Sequence, residues 1–178
     1  MQVSSASIPL KNGFDFSFRT CSGGVLLDQK GSSNGFVRIE VVRTTVNYTR
    51  TPVLFIPSHL RMTWKVNGTE ESVTIGKDLD KNILHQVQFT PGSGQVNSTL
   101  TLSGLTTQFV QMPNTILEFV SSGPLYAGSD ISGGEGFVGC ITSGQNIPLP
   151  NSISVNVNAN CPLGQSGCPA KGWFDFIL

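Results

Sequence analysis

Frequent turn residues and short alternating apolar runs predict an all-β fold, a two-sheet antiparallel sandwich. The 178 residues include 20 glycines and 10 prolines, and hydrophobic residues make up 38% of the chain. This composition is typical of short strands joined by many turns rather than of long helices. The alternation of apolar and polar residues indicates that several strands expose one face to solvent. The length fits a single domain covering residues 1–178.

Segments typical of strands follow one another along most of the chain. In the first of them, Phe14, Phe16 and Phe18 share one face at period two, which predicts a half-buried strand. Another ends at Asn67-Gly68, a strong hairpin-turn signal. The predicted strands are 13–19, 24–27, 35–42, 60–66, 85–89, 98–102, 115–120, 124–128, 137–142 and 173–178. Residues 143–170, rich in Asn, Gly and Pro, are predicted to form a long C-terminal loop.

Charge and hydropathy exclude several function classes. Lys and Arg total 11 and Asp and Glu total 11, so the formal net charge is zero and nothing favours nucleic acid or an anionic membrane as partner. No apolar run reaches the roughly 18 residues of a membrane-spanning helix, so direct membrane insertion is not expected. Met1 is followed by a polar segment rather than a leader. We therefore expect these residues to be part of a larger multidomain chain.

The cysteines favour disulfides over a metal site. Cys21, Cys140, Cys161 and Cys168 are even in number and form neither a CxxC motif nor a cluster with histidine. Disulfides imply an oxidising compartment, whereas buried free thiols in a cytosolic protein are the alternative. Four cysteines allow three pairings, and the sequence does not choose among them.

Several short motifs, in a consistent order, resemble one extracellular family. The first two motifs in chain order are Phe16-Ser17-Phe18-Arg19-Thr20 and Gly24-Val25-Leu26-Leu27. The next two are His85-Gln86-Val87 and the strand-and-turn segment 97–104. The last two are Pro124-Leu125-Tyr126-Ala127-Gly128 and Gly136-Phe137-Val138-Gly139-Cys140-Ile141. Together they resemble the laminin G-like (LNS) domains of laminins, agrin, neurexins and adhesion receptors. The resemblance implies a concanavalin-like jelly-roll sandwich.

The resemblance also implies disulfides and a function. In this family the cysteine corresponding to Cys140 usually bonds one near the end of the domain, which implies Cys140 with Cys161 and leaves Cys21 for Cys168. These bridges would pin the loop at about 143–170. The implied function is that of a non-enzymatic binding module in an extracellular or cell-surface ectodomain, which mediates adhesion or receptor and matrix recognition through its rim loops. Its partner would be an extracellular protein or a glycan.

Calcium, which many relatives bind at the rim, is not expected at the usual positions. The family typically supplies an aspartate after the strand containing Trp64 and another before Pro124, but Lys65 and Ser121-Ser122-Gly123 stand there. A lysine ammonium repels a cation that needs oxygen ligands. We therefore predict no metal and no cofactor. Four other aspartates could contribute to a different site, although each is more simply a solvated turn carboxylate: Asp28, Asp78, Asp80 and Asp130.

Two further surface features concern glycans. Four arginines form the only concentration of that residue, either a basic patch or ordinary exposed strand residues: Arg38, Arg43, Arg50 and Arg61. Strong heparin binding is not predicted. Three sequons identify glycosylation sites if the chain is secreted: Asn47, Asn67 and Asn97.

Two alternatives to a protein-binding module follow from the sandwich fold. A lectin-like domain would need an exposed aromatic at the rim, such as Tyr48 or Trp64. A glycoside hydrolase, a more distant alternative, would need two facing carboxylates, and the available glutamates carry no such strand motif: Glu70, Glu71, Glu118 and Glu135. His85 is predicted to have a structural role. No catalytic residue is assigned.

The loss of the usual calcium ligands generates a first prediction. We expect the melting temperature of the oxidised domain to be the same in millimolar Ca²⁺ and in excess chelator. Scanning calorimetry measures this directly, because a site filled at about a hundred times its dissociation constant would add roughly 2.7 kcal/mol of stability. A calcium-dependent rise in melting temperature would contradict the interpretation of Lys65.

Overall fold

The computed structural model describes residues 2–3, 12–43, 57–93, 97–104, 106–110, 123–128, 136–143 and 153–154. These residues form eleven strands and contain no α-helix. The strands are β1 Gln2–Val3, β2 Phe14–Lys30, β3 Phe36–Arg43, β4 Ser58–Val66, β5 Thr69–Ile75, β6 His85–Thr90, β7 Ser98–Leu102, β8 Thr106–Val110, β9 Leu125–Ala127, β10 Val138–Ser143 and β11 Ile153–Ser154.

Two antiparallel sheets share the long strand β2. The second half of β2 lies between β3 and β9 in sheet A, whose order is β5-β4-β3-β2-β9-β1. The first half lies between β6 and β10 in sheet B, whose order is β8-β7-β6-β2-β10-β11. The chain crosses between the sheets after β5, after β8 and after β9, which is the wrapping of a jelly roll. The predicted all-β, two-sheet antiparallel fold is confirmed.

The course of β2 changes sharply at two glycines. Gly23 and Gly24 have φ angles of 100° and 113°, in the region that residues with side chains rarely adopt. The hydroxyl of Thr20 accepts hydrogen bonds from the backbone amides of Ser22 and Gly23 and donates one to the carbonyl of Val138. The sequence predicted separate strands at 13–19 and 24–27, and this was wrong, because the bend leaves β2 continuous over 17 residues.

One hydrophobic core fills the space between the two sheets. Phe14, Phe16 and Phe18 are all buried, as their alternation predicted, and the ring of Phe14 stacks on Phe89 of β6 with centroids 5.3 Å apart. Sheet A contributes the apolar face of β3 and β4 to the same cluster. Phe137 and Ile141 are also completely buried and belong to this core.

The hairpins show what the sequence patterns missed. Asn67-Gly68 turns with φ angles of 51° and 83°, as expected for a two-residue hairpin loop, and leads into β5. Strand β5 was not predicted, because its residues are almost all exposed and lack apolar alternation. Strand β8 also escaped prediction. Within the predicted loop at 143–170, Ile153–Ser154 pairs with β10; the remainder of that loop and the predicted strands at 115–120 and 173–178 lie outside the described residues.

The bend of β2 generates a stability prediction. A Cβ on Gly24 would lie 2.5 Å from the carbonyl oxygen of Gly136, so Gly24→Ala adds a backbone clash to the strain of a positive φ. We expect a loss of about 2–4 kcal/mol in the free energy of unfolding, measured by denaturant titration. Gly68→Ala is the matched control: Gly68 also has positive φ but has open space around it, so a loss of only about 1 kcal/mol is expected. Equal losses in the two variants would contradict the steric role of Gly24.

Candidate functional site

The loop between β5 and β6, residues 76–84, presents the most exposed apolar side chains of the described chain. Ile83 is 53% exposed and Leu84 is 63% exposed. Val138, at the start of β10, is 39% exposed. We call residues 76–84 the rim loop, and Ile83, Leu84 and Val138 the apolar rim. Ile83 and Leu84 are adjacent in the chain, and exposed apolar side chains that lie together are typical of an interaction surface.

Hydrogen bonds bring the members of the apolar rim together at the bend of β2. The backbone amide of Asn82 donates to the carbonyl of Thr20 at 2.8 Å, and the hydroxyl of Thr20 donates to the carbonyl of Val138 at 2.6 Å. Thr20 therefore joins the end of the rim loop to the start of β10. Ile83 and Leu84 follow directly after this attachment point.

An ion pair and a buried leucine hold the other part of the rim loop. Arg43 lies 2.6 Å from the carboxylate of Asp80 and also donates to the carbonyl of Cys21. The hydroxyl of Ser58 donates to Asp80 at 2.8 Å. Leu79 is 2% exposed and packs in the core. The rim loop is therefore attached to β2, β3 and β4, which gives Ile83 and Leu84 a fixed position.

His85 lies where the rim loop enters β6. Its ring packs against Phe18 with centroids 5.4 Å apart, and its Nε2 is buried with no hydrogen-bond partner in the described part of the chain. Burial lowers the pKa of His85, because the imidazolium loses hydration that nothing in this contact replaces. The family resemblance predicted a structural role for this histidine, and its packing against Phe18 is consistent with that role.

The aspartates considered for a metal site do not form one in the described part of the chain. Lys65 lies opposite Phe36 and Glu70 in sheet A. No group of three His, Cys, Asp or Glu residues suited to a metal ion occurs among the described residues. Asp78 pairs with Lys81, and Asp80 with Arg43, within the rim loop region. These contacts do not favour a site for a hard cation, and the absence of a metal remains a prediction.

Asp28 corrects one expectation directly. The sequence predicted a solvated turn carboxylate, but Asp28 lies inside β2, is completely buried and pairs with Arg38 at 2.9 Å. The residues face each other across β2 and β3, so the register of sheet A creates the pair. Asp130 lies outside the described residues.

The arginines do not form a free basic patch among the described residues. Arg38, Arg43 and Arg61 each pair with a carboxylate, and Arg61 makes two hydrogen bonds to Glu40. Arg50 lies outside the described residues. Because these three arginines are neutralised locally, they offer little to a sulfated glycan.

The other predicted site residues fall in several places. Neither Cys21 nor Cys140 carries a free thiol among the described cysteines. The proposed partners Cys161 and Cys168 lie outside the described residues, so the pairing remains a prediction. Asn67 and Asn97 are exposed, as a glycosylation site requires, whereas Asn47 is not described. Trp64 is 4% exposed and belongs to the core, so its suggested role as a lectin-type aromatic is wrong; Tyr48 is not described.

Sequence reasoning overlooked the apolar rim. Ile83-Leu84 was not identified as a site. The available signal was an apolar pair outside any predicted strand, directly after the largely polar segment Lys77–Asn82.

Comparison with known proteins adds a likeness of fold. No protein-family model matches the chain, and no curated protein sequence does so either. Among solved structures, the chain is similar to domains LG4-5 of the mouse laminin alpha1 chain, with 14% sequence identity and a TM-score of 0.47. The match covers 85% of this chain and 40% of the laminin chain. The function is therefore argued from the residues of this chain.

The buried imidazole of His85 generates a pH prediction. Its folded-state pKa is lowered, so between that value and about 6.5 the unfolded chain binds more protons than the folded one. The free energy of unfolding is therefore fully retained above pH 6.5 and falls as the pH drops through this window. Denaturant titrations at pH 7.5, 6 and 5 measure how much the free energy of unfolding decreases with pH. This decrease is expected to be smaller in His85→Phe than in the parent domain, by about 1.4 kcal/mol for each unit by which the pKa of His85 is lowered. If His85→Phe lost stability with falling pH as steeply as the parent domain does, His85 would be ruled out as the source of the acid-dependent loss.

Proposed function

We propose that this chain is a non-enzymatic extracellular binding module that recognises a protein partner, a receptor or matrix component, through the apolar rim. The exposure of Ile83 and Leu84 on a firmly attached loop is the observation that carries this proposal. The motif resemblance to laminin G-like domains, whose rim loops bind ligands, supports it. Among the described residues, no helix has the length and apolar character needed to cross a membrane.

The attachment of the rim loop favours binding because the loop loses little conformational freedom when a partner associates. Leu79 in the core, Asp80 in its ion pair and Asn82 in its hydrogen bond hold the chain before the exposed pair, and strand β6 begins directly after it at His85. A surface already fixed in its bound shape avoids the entropic cost of ordering a loop on association. Burial of each exposed aliphatic side chain contributes about 1.5–3 kcal/mol, so two or three of them supply a substantial part of a protein interface.

The described glutamates support a non-enzymatic function. Glu40 is engaged in an ion pair with Arg61. Glu70 and Glu71 are adjacent in the exposed strand β5, and successive side chains of a strand point to opposite faces. Such a pair does not place two carboxylates on either side of one glycosidic bond. Glu118 and Glu135 lie outside the described residues.

The chemistry of the surface supports an extracellular location. The described cysteines carry no free thiol, which fits an oxidising compartment. Asn67 lies in an exposed hairpin turn and Asn97 immediately before β7, so both sequons are accessible to glycosylation. A glycan at Asn67 would extend from the end of sheet A without entering the core.

The apolar rim is tested by replacing Ile83 and Leu84 together with serine. Because both side chains are more than half exposed, the melting temperature of the double variant is expected to stay within about 2 °C of the parent domain. Binding of the fluorescent, tetramerised domain to intact cells, measured by flow cytometry, is expected to fall at least tenfold, and trypsin treatment of the cells should remove the binding of the parent domain.

A matched control is Ser72→Ala and Thr74→Ala together, at exposed positions of β5. This variant is expected to bind as the parent domain does. If the serine variant bound cells normally, or if binding survived trypsin and was lost with glycosidases instead, the proposed protein-binding role of the apolar rim would be wrong.

A further inference from the structure

The outer face of sheet B is a neutral polar surface. The side chains that alternate with the core residues of β2, β6 and β7 are mostly amides and hydroxyls, with one carboxylate and one guanidinium: Asp15, Ser17, Arg19, Gln86, Gln88, Thr90, Thr99 and Thr101. Asp15, Gln88 and Thr101 lie directly opposite one another in adjacent strands. Side chains in such cross-strand positions are close enough to contact one ligand together.

A cleft of about 210 Å³ opens at one end of this surface, where β2 begins and β6 ends. Asn12, Asp15, Gln88 and Thr90 contribute polar groups to its lining, and Pro91 closes one side. Asn12, Gln88 and Thr90 are exposed and Asp15 is half-buried, so the polar groups are accessible from solvent. The cleft lies on a different surface element from the rim loop, since it forms at the Thr90 end of β6, and the rim loop enters at His85.

The backbone around the cleft is firmly held. Gly13 has a φ of 72°, and a Cβ there would lie 2.9 Å from the carbonyl oxygen of Phe89 and 3.0 Å from Cδ of Pro91. Only glycine allows this close approach of the chain before β2 to the end of β6. Directly beneath, the stacked rings of Phe14 and Phe89 fill the core. The lining is therefore positioned by packing before any ligand arrives.

The chemistry of the lining selects one class of ligand. A carboxylate can accept hydrogen bonds from two hydroxyl groups, and amides and threonine hydroxyls can both donate and accept. This combination of donors and acceptors matches the neighbouring hydroxyl groups of a sugar ring. Sulfate or phosphate would be repelled by Asp15, and no Lys or Arg lines the cleft among the described residues. An apolar ligand would cover these polar groups without replacing their contacts with water, at a cost in free energy. The volume lies below the roughly 300–1,000 Å³ of sites for drug-sized ligands, so one sugar ring is the appropriate size.

We propose that this cleft binds an uncharged saccharide, one pyranose unit of a neutral glycan, whose hydroxyls donate hydrogen bonds to Asp15 and exchange them with Gln88 and Thr90. This site is separate from the apolar rim and does not depend on the proposed protein-binding function. The two aromatic rings at the cleft, Phe14 and Phe89, are 4% and 1% exposed and offer no stacking platform to the sugar. Affinity for a single unit is therefore weak, in the millimolar range, and several copies of the domain would bind a repeating glycan by avidity.

The experiment is a titration of the ¹⁵N-labelled domain with glucose, galactose, mannose and N-acetylglucosamine, followed by amide chemical shifts. At least one sugar is expected to shift the amides of Asn12, Gln88 and Thr90 with a dissociation constant of about 1–50 mM. Gln88→Ala is expected to weaken this binding about tenfold, the effect of losing roughly 1.4 kcal/mol of hydrogen bonding. Thr90→Val is a second, nearly isosteric variant that removes only the hydroxyl.

Gln86→Ala is the matched control, because Gln86 is the preceding outward residue of β6, is exposed like Gln88 and does not line the cleft. It is expected to bind as the parent domain does, and so is the double serine variant of Ile83 and Leu84. The proposal is overturned if none of the four sugars shifts the cleft amides at about 100 mM, or if Gln86→Ala and Gln88→Ala behave alike. Failure of the apolar rim experiment would leave this titration unaffected.

Discussion

The sharing of β2 by two sheets is the constraint on which the rest of the structure depends. Its first half aligns β6 and β10, its second half aligns β3 and β9, and Gly23 and Gly24 provide the change of direction between them. Thr20 adds the hydrogen bonds that attach both β10 and the rim loop to this bend. The candidate protein-binding surface is thus fixed by the same residues that join the two sheets.

Locally balanced charge shapes how such a module recognises a ligand. Buried Asp28 is stabilised by Arg38, whose guanidinium also lies 5.6 Å from the ring centroid of Phe36. Removing one partner of such a buried pair typically leaves a charge without compensation and costs several kcal/mol. Since Arg38, Arg43 and Arg61 are engaged in internal pairs, they contribute little long-range attraction for charged ligands. Recognition at the two proposed sites would instead depend on apolar contact and hydrogen bonding at short range.

The sequence predicted the features that depend on local pattern. Alternation identified the buried faces of Phe14 to Phe18, and Asn67-Gly68 identified a hairpin. It missed features that depend on the register between distant strands. Asp28 was misinterpreted because its burial follows from its position opposite Arg38 in β3, and β5 was missed because an exposed edge strand needs no apolar alternation. The cleft was missed because it requires Asn12 and Asp15 to lie beside Gln88 and Thr90, which only the pairing of β2 with β6 brings about.

The shared strand also has a consequence for synthesis of the chain on the ribosome. Ser17 near the start of β2 pairs with Thr142 in β10, a separation of 125 residues. The first half of β2 therefore lacks one neighbour until residues 138–143 have left the exit tunnel, although β3 and β4 can already form. At a typical rate of about 5–20 residues per second, this interval lasts several seconds or more. During that time the apolar face of Phe14, Phe16 and Phe18 is incompletely covered, so the nascent chain is exposed to misassembly and to chaperone binding until sheet B is complete.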